Sequence, residues 1–209
     1  MRYPCLMRIS RLLLLLGATA GPLYVAVSVT EVFTRDGFDA TRHAWSMLGN
    51  GAYGGIHSTL LVVSGLLQVC GAAGLYWVTR SRWTTVLLAL YGLGMIGGGF
   101  FTADPGRGFP PGTPEEVPVS THGILHFVFG GIGFLGLAAA SVFLARRFAA
   151  EDERRLALCS WATGALLLVT FVALAATGGP AWALVAFTAA VVLVSGWLTA
   201  VFLHYRGTA

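Results

Sequence analysis

Six separate stretches of this chain are apolar for about twenty residues each, the length an α-helix needs to cross a hydrocarbon core roughly 30 Å thick at about 1.5 Å per residue. They run approximately over Ile9–Phe33, Tyr53–Val78, Thr84–Thr102, His122–Ala145, Leu156–Thr177 and Trp182–His204. Inside lipid a backbone amide finds no water, so each segment must satisfy its own hydrogen bonds, and helix is the state that does so. The expected fold is all-α: an integral membrane bundle of six transmembrane helices, one domain over residues 1–209.

Composition excludes the competing classes. Hydrophobic residues make up 56% of the chain and charged residues only 11%, against about 25% charged in soluble domains. Such a chain cannot cover a water-facing surface, so a soluble enzyme, a disordered tail and a nucleic-acid binder are ruled out. The expected partner is the lipid bilayer. The net charge of +4 comes from thirteen Arg, without any Lys, against nine acids. These Arg form no basic stripe, but they do carry topology. Arg2, Arg8, Arg11, Arg80, Arg82, Arg146, Arg147, Arg154, Arg155 and Arg206 fall on one side, and only Arg35, Arg42 and Arg107 on the other. The positive-inside rule then places both termini in the cytoplasm of a multi-pass cell-membrane protein. Leu12–Leu16 followed by Ala18-Thr19-Ala20 imitates a secretory signal, but the apolar run continues to Phe33, which favours a retained helix. Cys5, Cys70 and Cys159 are an odd count without a CxxC spacing, so neither a disulfide framework nor a thiolate metal site is expected.

The two longest connections fall on the expected outer face, at about 34–52 and 103–121. Loops this long in so short a chain are often functional. His43, His57, His122 and His126 lie on that face, as do Glu31, Asp36, Asp39 and Asp104. Ionisable groups at span ends are functional candidates because burying them without partners is costly. His122 and His126 lie one helical turn apart on one face, the spacing of zinc-binding helices, although the intervening residues do not complete the H-E-x-x-H pattern. A divalent metal would need further ligands from Asp104, His43 or His57. A haem is disfavoured because the His gather at one face with no second inner pair. Ser120 or Thr121 is the expected N-cap of this helix. Asp104 is read as ending a span before the helix-breaking Pro105, which sets it against the helix dipole and in need of a cationic or His partner. Residues 42–51 are read as a short surface or re-entrant helix ended by Gly49, with His43, Ser46 and Asn50 on one face and Trp45 able to dip into the interface.

The pattern Arg42-His43-x-Trp45-Ser46-x-Leu48-Gly49-x-Gly51, then Phe101-x-x-Asp104, then His122-Gly123-x-x-His126 resembles the bacterial and archaeal membrane family labelled domain of unknown function 998. The resemblance implies a six-helix membrane protein with a family pattern at the outer face, and no assigned reaction.

The leading functional expectation is a small membrane-embedded enzyme acting on a lipophilic substrate by hydrolysis or by acid-initiated isomerisation or cyclisation. Asp104, His122, His126 and His43 are its candidate catalytic groups; Arg42, Trp45, Ser46, Asn50, His57 and Glu31 are its candidate substrate contacts; His122 and His126 are its candidate metal ligands. The alternatives are an accessory or structural membrane subunit, or a small transporter. Against transport, the span interiors carry almost no charge, although a homo-oligomer could form a path between copies. All of these site assignments require the protonatable side chains to share one cavity.

Overall fold

The structure is a computed structural model that describes the backbone of residues 3–208 and the side chains of residues 6–208. Arg2 and the Cys5 side chain, used above for orientation and redox chemistry, lie outside the described residues. Six α-helices form the chain: α1 (Tyr3–Thr34), α2 (Gly54–Thr79), α3 (Arg82–Phe100), α4 (Thr121–Ala150), α5 (Arg154–Thr177) and α6 (Ala181–Thr208). All six are long and apolar enough to cross a membrane, and no strand occurs among the described residues. The protein is a multi-pass membrane protein. α1 runs on without a break through Ala20 and past Pro22, because the apolar run after the signal-like segment gives the helix no reason to stop.

Each helix packs on its neighbours in sequence, and α6 closes back onto α1, so the six form a ring. Lipid supplies no hydrophobic drive between helices, so close packing needs small residues at the contacts. A Cβ added at Gly71 would lie 2.8 Å from the Cα of Gly17 on α1, and one added at Gly94 of α3 would lie 2.8 Å from the Cα of Gly133 on α4. The half of the ring near the termini is filled by Leu14, Leu75, Leu144, Phe148 and Phe202, all essentially inaccessible. Polar ties fasten that half: Trp197 Nε1 donates to Ser160 Oγ at 3.0 Å, and Arg147 donates to the Thr79 carbonyl at 2.9 Å.

The opposite face carries the two long loops, here called the loop face. The first loop contains a five-residue 3₁₀ helix, Trp45–Gly49, within the segment 42–51 where a short helix ended by Gly49 was expected. This helix leaves His43 and Asn50 outside its ends. It turns Trp45 and Leu48 inward, onto Phe109 of the second loop and Tyr24 of α1. The loops are thus held to the bundle by a small apolar core of their own.

Candidate functional site

Helix ends leave carbonyls and amides without intrahelical partners, and much of the loop-face chemistry satisfies them. α3 ends at Phe100, so Asp104 lies beyond the helix. It does not oppose the α3 dipole, as the sequence suggested, but sits at the N-terminus of α4. Asp104 Oδ2 accepts from the Ser120 amide at 2.9 Å and Oδ1 from the Ser120 hydroxyl. Ser120 Oγ in turn accepts from the Gly123 amide at 3.0 Å, the N-cap expected for α4. A carboxylate at this end complements the helix dipole. A Cβ at position 123 would fall 2.0 Å from Asp104 Oδ2, which explains the glycine between the two histidines of the pattern.

His126 closes the other side of the junction. Its Nδ1–H donates to the carbonyls of Phe101 at 2.8 Å and Gly98 at 3.2 Å, at the end of α3. That fixes the tautomer and leaves Nε2 with a lone pair. His122, one turn earlier, is exposed and meets the Phe101 ring edge-on at 5.5 Å between centroids. The shared helical face expected from their spacing therefore splits into two environments. Among the described residues no three His, Cys, Asp or Glu side chains converge as a metal-binding group, and His126 already spends Nδ1 on backbone carbonyls. The donor set does not fit the divalent metal considered above.

His43 is buried and engaged at both nitrogens. Nδ1 accepts from the Asp39 amide at 2.9 Å, and Nε2–H donates to the Arg107 carbonyl at 3.0 Å. It fastens one long loop to the other. Asn50 does the same, donating to the carbonyls of Met47 and Ala103. Arg42 pairs at the surface with Glu115, 2.8 Å away.

A third group is deeply buried between α1 and α2. His57 Nδ1 lies 2.8 Å from Glu31 Oε2, and the other carboxylate oxygen receives Arg35 at 3.3 Å. Arg35 also donates to the carbonyls of Leu48 and Asn50 and stacks over Phe109. The sequence reading used Arg35 only as a topology marker. Its position four residues after Glu31 was the signal that could have joined it to the site.

The ring encloses a cavity of ≈ 570 Å³ that reaches from the loops into the bundle. Its deep walls are apolar, from Tyr91, Met95, Phe134, Phe171, Phe187 and Val191. Its mouth carries Ser46, Asp104, Arg107, Glu115, Glu116 and His126. Of the residues singled out from sequence, Asp104, His126, Trp45 and Ser46 line this space. His43, Glu31 and His57 are buried outside its lining, and Arg42, Asn50 and His122 do not line it either. The protonatable cluster read from sequence is therefore three separate groups, only one of which opens into the cavity.

A ring of six lipid-spanning helices with a loop-capped cavity defines a small polytopic membrane protein. The family model described as "protein of unknown function (DUF998)" matches residues 18–204, and the chain belongs to that family. No curated protein and no solved structure matches it.

Proposed function

We propose that this chain is a cell-membrane enzyme that takes a lipophilic molecule into the central cavity, with the long loops on the extracytoplasmic side. The observation that carries this reading is the cavity itself: apolar walls end at a mouth lined by His126, whose Nδ1 is held by backbone carbonyls. Ligand sites of about 300–1,000 Å³, mostly apolar with a few placed polar groups, suit a small hydrophobic molecule with one polar end. Four rings near the cavity floor would hold the apolar part, and the polar end would lie beside His126.

Because Nδ1 is committed as a donor, Nε2 acts first as a proton acceptor. That favours base-assisted hydrolysis, or proton abstraction from the bound molecule, over an acid-initiated reaction. Asp104 is a positioning residue in this scheme: by holding Ser120, the N-cap of α4, it sets the first turn from which His126 projects. The Arg excess at the termini face supports the orientation.

The test uses full-length protein in lipid discs, with co-purifying lipophilic molecules identified by mass spectrometry. Gly131→Leu adds bulk at the cavity wall, where a Cβ meets only Phe171 at 3.9 Å, and should displace the bound molecule without unfolding the protein. His126→Gln should retain the molecule and lose its conversion. If Gly131→Leu leaves the bound lipophile unchanged, or His126→Gln converts it at the wild-type rate, the proposal fails.

A further inference from the structure

The mechanism proposed above leaves the Glu31–His57 pair unused, although both side chains are buried. His57 is fully inaccessible, and its Nε2 has no hydrogen-bond partner among the described residues. Two more orphans lie below it on the same helix: Ser64 Oγ and Gln68 Oε1 are both buried and both lack partners. Positions 57, 64 and 68 repeat at helical spacing and share one face of α2. That face looks at α1, because Gly71, next along it, touches Gly17. The neighbouring face looks at α3, where Gly65 meets Gly92. With Glu31 opposite His57 and Gly17 opposite Gly71, the antiparallel register sets Tyr24 of α1 level with Ser64. At about 1.5 Å per residue, Ser64 and Gln68 lie roughly 10 and 16 Å deeper than His57, so the row reaches the middle of the membrane.

Orphaned buried groups are rare in folded proteins because each forfeits its solvation. Three in one row share one simple resolution. With Nδ1–H donated to Glu31, Nε2 needs a donor. The Gln68 carbonyl needs a donor, and the Ser64 hydroxyl needs at least one partner of either kind. Water supplies both roles and commonly occupies polar internal sites with two to four such neighbours.

We propose that the α1–α2 seam binds a file of internal water on His57 Nε2, Ser64 Oγ and Gln68 Oε1, and that this file is the proton path to the buried Glu31–His57 pair. A proton arriving from the file at Nε2 allows the Nδ1 proton to pass to Glu31. No proton is created or lost, and the ring need not turn. Tyr24, whose ring centroid lies 6.0 Å from that of His57, and Leu61 line the central cavity, so these two side chains stand between the row and the cavity. The water site does not depend on what the cavity holds.

The test is solid-state NMR on full-length, imidazole-¹⁵N-labelled protein in lipid, with the His57 signal assigned by its loss in His57→Gln. The expected result is magnetisation transfer between water protons and His57 Nε2, reduced several-fold in Ser64→Ala/Gln68→Leu and retained in Ser64→Thr. Melting supplies a second readout. A hydrated seam makes Gln68→Leu neutral or destabilising, whereas a dry seam makes it stabilising because an unpaired carbonyl is removed. Absence of water transfer in the wild-type protein overturns the proposal, as does transfer unchanged in the double variant or a higher melting temperature for Gln68→Leu.

Discussion

Arg35 and Arg42 lie on the same face of the bundle, each paired with a glutamate, and their removal should have very different consequences. The Arg35–Glu31 pair is 9% and 6% exposed at its side chains, whereas Arg42–Glu115 is 52% and 67% exposed. Arg35→Met would leave Glu31 buried without its guanidinium and free the carbonyls of Leu48 and Asn50. Removing one member of a buried pair costs about 3–5 kcal/mol, because the desolvated partner charge remains. Arg42→Met removes a solvated pair and should cost about 0–1 kcal/mol. Both are Arg–Glu pairs, so burial and the two loop carbonyls that Arg35 also holds separate the two variants. Arg35→Lys should fall between them, since an ammonium retains the charge but cannot reproduce the fork across two loop carbonyls. The double variant Glu31→Gln/Arg35→Met should recover part of the loss, as it strands no charge. The assay is the melting temperature of detergent-solubilised protein, read as the monodisperse fraction surviving a heat step. If Arg35→Met melts together with Arg42→Met, burial does not control this network and the reasoning is wrong.

Asp104→Ala should lose about 1–2 kcal/mol through the α4 cap, and Asp104→Asn less; a matching melting series checks both. In the first loop, the Thr41 hydroxyl and amide both donate to Asp39 Oδ1 and hold that carboxyl below its ordinary value of 3.8. A lowered folded value means the loop gains stability that is fully present above the ordinary value and is lost as pH falls through the lowered one. Carbon-detected titration should place the Asp39 midpoint below 3.8 in the wild-type protein, and Thr41→Val should raise it. Gly71→Val should abolish folded protein, because a Cβ there would sit 2.7 Å from Phe202 Cζ and 2.8 Å from Gly17 Cα, whereas Gly55→Ala, with nothing within 4 Å, should express normally.

The architecture was legible in the sequence because a bilayer imposes a one-dimensional rule. Twenty apolar residues must be a helix, and the six expected spans correspond to the six helices, with ends displaced by a few residues. Ser120 was readable as a cap for the same local reason. The site was less legible because hydrogen-bond commitments are set by tertiary placement. His122 and His126 are equivalent by spacing, yet only His126 meets the end of α3. Asp104 sits three residues after Phe101 in sequence, and nothing local says that its carboxylate turns to the start of the next helix. His43 looked free to react until both of its nitrogens were found on backbone groups of the two loops. Arg35 was hidden because charge counting treats every loop arginine alike.

The hollow of the ring follows from where its bulk is spent. Near the termini, Phe148, Phe202 and Tyr205 fill the space between helices. Towards the loops, α3 and α4 carry Gly94, Gly98, Gly130 and Gly131 along the cavity wall, and a Cβ at Gly130 would touch nothing. A helix pair brought close by Gly94 and Gly133 could have closed this space with side chains at the adjoining positions, but it has glycine there instead. Small residues needed only for helix contact would all face a neighbouring backbone, as Gly17 and Gly71 do. Those at 130 and 131 do not, so packing does not account for them, and open volume at the foot of the His126 turn does. Filling it with Gly130→Leu and Gly131→Leu together should leave the bundle folded while shrinking the cavity. Loss of folding would instead assign both glycines to packing.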